Sequence, residues 1–93
     1  MILEELYKII EDRKRNMPKD SYIASLLREG NDRVIQKVGE EAVEVIIAAK
    51  NSDKEQVVLE MADLWFHSLI LLSSLDVKPE EILLELKKRR TKK

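Results

Sequence analysis

Apolar and polar positions recur at about 100° per residue along nearly the whole chain, the period of an α-helix. From Ile2 to about Arg15, residues Ile2, Leu3, Leu6, Ile9 and Ile10 share one side, and Pro18 predicts the end of that first helix. A short second segment starts at Asp20 or Ser21 and runs to about Glu29. It turns Ile23, Leu26 and Leu27 inward and stops at Gly30, a residue suited to a helix exit. Asn31 is placed to cap a third helix, roughly Asp32 to Lys50. Asn51 and Ser52 form a short turn, and Ser52 with Glu55 has the spacing of a capping box for a fourth helix, roughly Asp53 to Leu75. Pro79 opens a last helix that reaches about Arg90. No run alternates with period two, and only two Gly and two Pro interrupt the pattern. The fold expected is all-α, an antiparallel helical bundle of about five helices forming one domain over residues 1–93.

The third and fourth helices carry the informative exceptions. In the fourth, Gln56, Glu60, Asp63, His67 and Ser74 fall in one narrow sector, and nearly every other position is apolar. A helix apolar almost all round is expected to be buried. In the third, Val34, Val38, Ala42, Val45 and Ala49 take one face and Val43 with Ile47 another, which leaves Lys37, Glu41 and Glu44 in the remaining sector. So short a turn makes the two helices antiparallel neighbours. The pairs Glu41 with Glu44 and Glu60 with Asp63, each three residues apart, are then expected to face one another. Ionised carboxylates in apolar surroundings are costly or shift their pKa, so a compensating cation is implied. An ordinary explanation competes for the first pair, because Glu favours helices and Lys37 stands four residues before Glu41, the spacing of a surface ion pair. It serves less well for Glu60 and Asp63, since no Lys or Arg lies between Glu55 and Lys78.

Composition narrows the chemistry. A chain of 93 residues buries only about two-thirds of its unfolded surface, and the surplus of apolar faces favours a two-fold homodimer. With no cysteine and a single histidine, a metal site must be built from oxygens. Carboxylate-only clusters suit Mg²⁺, with Mn²⁺ as a substitute, and leave positions for water and phosphates. A di-iron or di-manganese bundle carries Glu-x-x-His on two helices, whereas the third positions here are Glu44 and Asp63. His67, one turn after Asp63, is placed either to hydrogen-bond it from behind or to sit satisfied in the core. The net charge of −1 argues against nucleic acid as the main partner, and the basic end (Lys87, Lys88, Arg89, Arg90, Lys92, Lys93) suits the negative pole of a helix. Residues Met1 to Leu6 lack the features of a secretory signal, so a cytoplasmic protein is expected. The apolar run Val57 to Leu75 approaches bilayer length, but Glu60, Asp63 and His67 would have to cross the hydrocarbon. A buried core helix is expected instead of a membrane span.

The stretches QKVGEEAVEVIIAAK from Gln36 and EMADLWFHSLILL from Glu60 closely resemble phosphoribosyl-ATP pyrophosphohydrolase, the second enzyme of histidine biosynthesis, and PKDSYIASLLREGNDRVIQK from Pro18 resembles it too. The wider superfamily of all-α nucleoside triphosphate pyrophosphatases, MazG-like proteins and dimeric dUTPases among them, shares only the EExxE then ExxD arrangement, here Glu40, Glu41, Glu44, Glu60 and Asp63. The resemblance implies Mg²⁺-dependent hydrolysis of phosphoribosyl-ATP to phosphoribosyl-AMP and pyrophosphate. It implies Glu41, Glu44, Glu60 and Asp63 as metal ligands and Glu40 as the residue that orients a water. Lys37 is placed to meet a phosphate oxygen, and Arg13, Ser21, Tyr22 and Arg33 are looser candidates for ribose or phosphate contacts; Ser21 has capping as its alternative and Tyr22 packing. It implies as well that the cyclohydrolase domain fused in some relatives is absent here. Two other functions stand beside this one: a house-cleaning pyrophosphatase of dUTP or non-standard nucleotides, and a non-catalytic helical dimer that binds a protein partner.

Overall fold

The computed structural model describes residues 1–91, so that Lys92 and Lys93 of the basic end lie outside the described residues. The helical periods become α1 (Ile2–Asn16), α2 (Tyr22–Glu29), α3 (Asn31–Lys50), α4 (Lys54–Ser74) and α5 (Pro79–Arg89), and no strand forms among the described residues. The all-α expectation holds.

Helix ends explain where the boundaries moved. Met17 takes the left-handed conformation and its N–H bonds the Arg13 carbonyl at 2.8 Å, which stops α1 just before Pro18. Ser21 caps α2 by accepting from the Ala24 N–H at 3.1 Å. Gly30, not Asn31, is the junction of α2 and α3, with φ 100° and ψ 170°, a region that is essentially glycine's own. Asn31 is already the first helical residue.

The expected cap at Ser52 moves by one residue. Ser52 adopts φ 54°, its N–H reaches the Ala49 carbonyl, and the Asp53 N–H reaches the Ala48 carbonyl at 3.2 Å. This pair of bonds closes the end of α3 as a Schellman motif, with Ser52 in the left-handed position. Asp53 is therefore the residue free to cap α4, and it accepts from the Gln56 N–H at 3.1 Å. The end of α4 repeats the device around Asp76, at φ 58°.

α3 and α4 share the most extensive contact in the molecule, and α1 and α2 lie against them. The core is built from Ile10, Ile23, Leu26, Val34, Leu69 and Ile70, one or two residues from each of the first four helices. α5 touches mainly α1 and contributes the buried Pro79.

Burial of the two long helices differs from the periodicity reading in one respect. On α3 the buried line is Val34, Glu41 and Ala48, spaced by seven residues, so an acid occupies the seam that faces the core. α4 is not enclosed all round. Val58, Leu59 and Trp65 are 63%, 56% and 56% exposed, and Val43, Ile46 and Ile47 of α3 are exposed as well. The single chain has too few helices to cover both sides of this hairpin. α4 is also the one described helix long and apolar enough to cross a membrane by length and composition.

Candidate metal centre

α3 and α4 run back along each other from the turn at residues 51–53, and this brings Glu41 of α3 against Glu60 and Asp63 of α4. One carboxylate oxygen from each lies within 4.8 Å of the other two. Glu41 is the deepest, 9% exposed; Glu60 is half-buried and Asp63 exposed. The trio thus climbs from the core seam to the surface, an arrangement open on one side to water and to a ligand.

Glu44 stands outside this trio. It is exposed and, with Glu60, Ile47, Ala48, Asn51, Asp53 and Gln56, lines a cavity of about 190 Å³ beside it. Its charge still reaches the cluster. Burial pushes the Glu60 carboxyl above its ordinary value, and the neighbouring Asp63, Glu44 and Glu41 push it in the same direction.

One cation belongs to the cluster. Lys37 Nζ lies 3.3 Å from Glu41 Oε1 and 3.6 Å from Glu40 Oε1. Burial acts to lower its pKa, but the hydrogen bond to Glu41 and the proximity of Tyr22, Glu41 and Glu40 outweigh that and hold the ammonium above its usual range. Glu40 is not one of the trio and has further partners. Arg33 Nη1 approaches it at 3.7 Å, and Gln36 Nε2 donates to it at 3.0 Å. Gln36 had no part in the sequence reading, although its spacing of four residues before Glu40 is the usual one for a helical pair.

The remaining candidates divide. His67 is buried, and its Nδ1 meets the backbone carbonyl of Asp63 at 2.8 Å rather than the carboxylate; its Nε2 lies 2.7 Å from the Tyr22 hydroxyl. Ser21 spends its oxygen as the α2 cap. Arg13 pairs with its neighbour Asp12 at 2.6 Å and makes no ion pair with the acid cluster among the described residues.

The donor set fits a hard divalent cation. All three clustered groups offer carboxylate oxygens, and burial together with the neighbouring acids disfavours the charge on Glu60. The ammonium of Lys37, the one paired with the trio among the described residues, is shared between Glu41 and Glu40.

A family model described as phosphoribosyl-ATP pyrophosphohydrolase matches residues 3–90. The chain belongs to this family. Among curated proteins it is 51% identical over 88 residues to a phosphoribosyl-ATP pyrophosphatase of Nitrosomonas eutropha, covering 95% of this chain and 75% of that one. The phosphoribosyl-ATP pyrophosphatase of Geobacter metallireducens is 49% identical, with 95% and 81% covered. That of Pelotomaculum thermopropionicum is 48% identical over 92 residues, with 99% and 94% covered. Among the described residues, five helices and no strand are consistent with the MazG-like all-α fold of the family. The clustered acids are three of the five in the EExxE and ExxD stretches of this chain, and the structure orders them by depth: Glu41 inward, Glu60 and Asp63 across from it.

Proposed function

We propose that this chain hydrolyses phosphoribosyl-ATP to phosphoribosyl-AMP and pyrophosphate, the second step of histidine biosynthesis, with Mg²⁺ or Mn²⁺ held by Glu41, Glu60 and Asp63 and with Glu44 beside them. The observation that carries the chemistry is the convergence of three carboxylate oxygens from two antiparallel helices. The substrate is supported by the family match over residues 3–90 and by the shared name of the relatives.

In this reaction water adds at the α-phosphorus and the bond to the β-phosphate breaks, so that pyrophosphate leaves. A divalent cation, when bound, supplies neutralisation of the triphosphate and acidification of water. The chain's own groups do the rest. Glu41, Glu60 and Asp63 hold the cation. Lys37 turns its ammonium from Glu41 to a phosphate oxygen, where it is a stronger partner for a dianion than for a half-satisfied carboxylate. Glu40, braced by Gln36 and Arg33, orients the attacking water and accepts its proton. Arg33 is in turn half-buried, held between Glu29 at 3.5 Å and Glu40 at 3.7 Å.

The working unit is a two-fold homodimer. Supporting it are the outward apolar stripes Val43, Ile46 and Ile47 on α3 and Val58, Leu59 and Trp65 on α4, which a second copy would cover. The same covering accounts for the hydropathy of α4 without a membrane, since that helix also bears Glu60 and Asp63 toward Glu41. A cytoplasmic location follows for such an enzyme, with a nucleotide as its partner and neither nucleic acid nor membrane.

The test is pyrophosphate release from phosphoribosyl-ATP and from a panel of nucleoside triphosphates, with Mg²⁺ and with chelator, in the native chain and in Glu60→Gln. The expected result is Mg²⁺-dependent release from phosphoribosyl-ATP that the variant loses. Fast turnover of the panel alone would replace the substrate with that of a house-cleaning pyrophosphatase. No release under any condition would leave a non-catalytic helical dimer.

A further inference from the structure

Tyr22 opens α2 and His67 lies in the middle of α4, yet their side chains meet, the phenol oxygen 2.7 Å from Nε2. The other ring nitrogen, Nδ1, is 2.8 Å from the backbone carbonyl oxygen of Asp63. A carbonyl only accepts, so Nδ1 carries a hydrogen, and in the neutral imidazole Nε2 is left as an acceptor. The Tyr22 hydroxyl is then the donor in this contact. Its hydrogen is spent on His67, and its oxygen has only lone pairs to offer to anything else.

The fold holds this polarity in place. His67 is buried, and its ring is packed edge-on against both Tyr22 and Phe66, with centroids 5.7 and 5.5 Å away. The Tyr22 ring lies over Phe66 at 6.5 Å with 24° between the planes. Tyr22 itself stays 50% exposed, so it is not a core residue that has merely found a partner. The bonds that run from its oxygen through the ring of His67, one helical turn from Asp63, to the Asp63 carbonyl put that oxygen beside the acid cluster.

An acceptor beside those acids has no use for phosphate, whose ionised oxygens are acceptors too and are met by Lys37. It calls for a neutral donor on the other half of a nucleotide. The geometry points to Tyr22 as a positioning residue that accepts a hydrogen bond from an O–H or N–H of the substrate's nucleoside part, a ribose hydroxyl or the exocyclic nitrogen of the base, with His67 fixing the direction of acceptance. This rests on the nucleotide-hydrolase function proposed above and specifies how that site orients its substrate.

Tyr22→Phe keeps the ring on Phe66 and deletes only the oxygen. The expected result is a fall in kcat/KM of about tenfold for phosphoribosyl-ATP, carried by KM with kcat nearly unchanged, the signature of lost uniform binding. Analogues lacking the 2′-hydroxyl, the 3′-hydroxyl or the exocyclic nitrogen identify the donor. The native chain should handle one of them about tenfold less well than the parent, while Tyr22→Phe treats that analogue and the parent alike. His67→Gln should lose the same discrimination, and the double variant should be no worse than either single one. A Tyr22→Phe chain with native kcat/KM, or with the same loss on every analogue beyond the parent's own preference, overturns the assignment and leaves Mg²⁺-dependent hydrolysis standing. Discrimination that survives in His67→Gln removes His67 from it. A native chain that releases pyrophosphate from none of these substrates overturns both this assignment and the function it rests on.

Discussion

Lys37 and Glu41 stand one turn apart on α3 with 3.3 Å between ammonium and carboxylate, and Glu41 belongs at the same time to the trio it forms with Glu60 and Asp63. On the function proposed above, lysine and a divalent cation would compete for one carboxylate in the free protein, and an arriving triphosphate would resolve the competition by giving the lysine a better anion. Lys37→Met is expected to tighten Mg²⁺ binding to the free chain modestly, by about fivefold or less, because a partly exposed ion pair is worth little. The same substitution should raise KM for phosphoribosyl-ATP by roughly tenfold or more, the cost of losing a charge-assisted hydrogen bond to phosphate. Calorimetric Mg²⁺ titration and steady-state kinetics read the two effects separately. If Mg²⁺ affinity falls in the variant, the lysine supports the site instead of competing for it.

The acids themselves should couple metal binding to stability. At a concentration 100 times its dissociation constant a ligand adds about 2.7 kcal/mol, which for a chain of this size amounts to a rise in Tm of roughly 10–20 °C. Glu60→Gln removes a carboxyl whose charge is disfavoured first by burial and then by the neighbouring Asp63, Glu44 and Glu41. The variant should therefore melt higher than the native chain in chelator and gain less from Mg²⁺. Asp63→Asn should behave in the same way, with a smaller change in chelator because Asp63 is exposed. Equal Mg²⁺ increments in all three proteins would mean that the cation binds elsewhere.

Much of this was legible in the sequence because helices announce themselves locally. The period of apolar positions located all five, and Ser21 and Pro79 carried their usual signals for a helix start. The cap of α4 was misplaced by one residue for a physical reason: Ser52 is taken by the closing turn of α3, and which of two adjacent capping residues yields depends on bonds that the finished α3 makes. Spacing placed Glu41, Glu44, Glu60 and Asp63 on facing sides but could not say that Glu41 lies in the buried seam while Glu44 points to the neighbouring cavity. The Tyr22–His67 bond joins residues 45 apart and leaves no local trace at all. The breadth of the apolar surface of α4 was plain, but periodicity reports that a face is apolar without saying whether this chain or another covers it.

That outer surface yields a prediction of its own. Leu59 is 56% exposed in one chain and lies beside Val58 and Trp65 on the outward stripe of α4. In a two-fold dimer each such residue is buried twice, so Leu59→Asp places two uncompensated charges in the interface. Dimer affinity should fall by roughly a hundredfold or more. Sedimentation equilibrium across a concentration series measures this directly, and a native chain that sediments as a monomer at every concentration would end the dimer proposal.

Away from the site, Tyr7 ties α1 to the loop between α4 and α5. Its hydroxyl donates to the Val77 carbonyl at 2.9 Å, and it sits among acids. Burial raises its pKa above 10.0, and Glu11, Asp76, Glu80 and Glu81 add to the rise. Below pH 10 the phenol is neutral in the folded and unfolded chains alike, and its contribution is fully present. As the pH climbs further, the unfolded chain gives up this proton first, so unfolding is favoured and the contribution is lost as the pH passes through the folded value. Tyr7→Phe should cost about 1 kcal/mol at neutral pH, the worth of one hydrogen bond. The gap between the two proteins should then narrow above pH 10, because only the native chain has this phenol to ionise. Urea denaturation at pH 7, 9 and 10.5 supplies the comparison. A gap that widens with pH would show that the ionised phenol is tolerated in the fold, and that the surrounding carboxylates do not govern it.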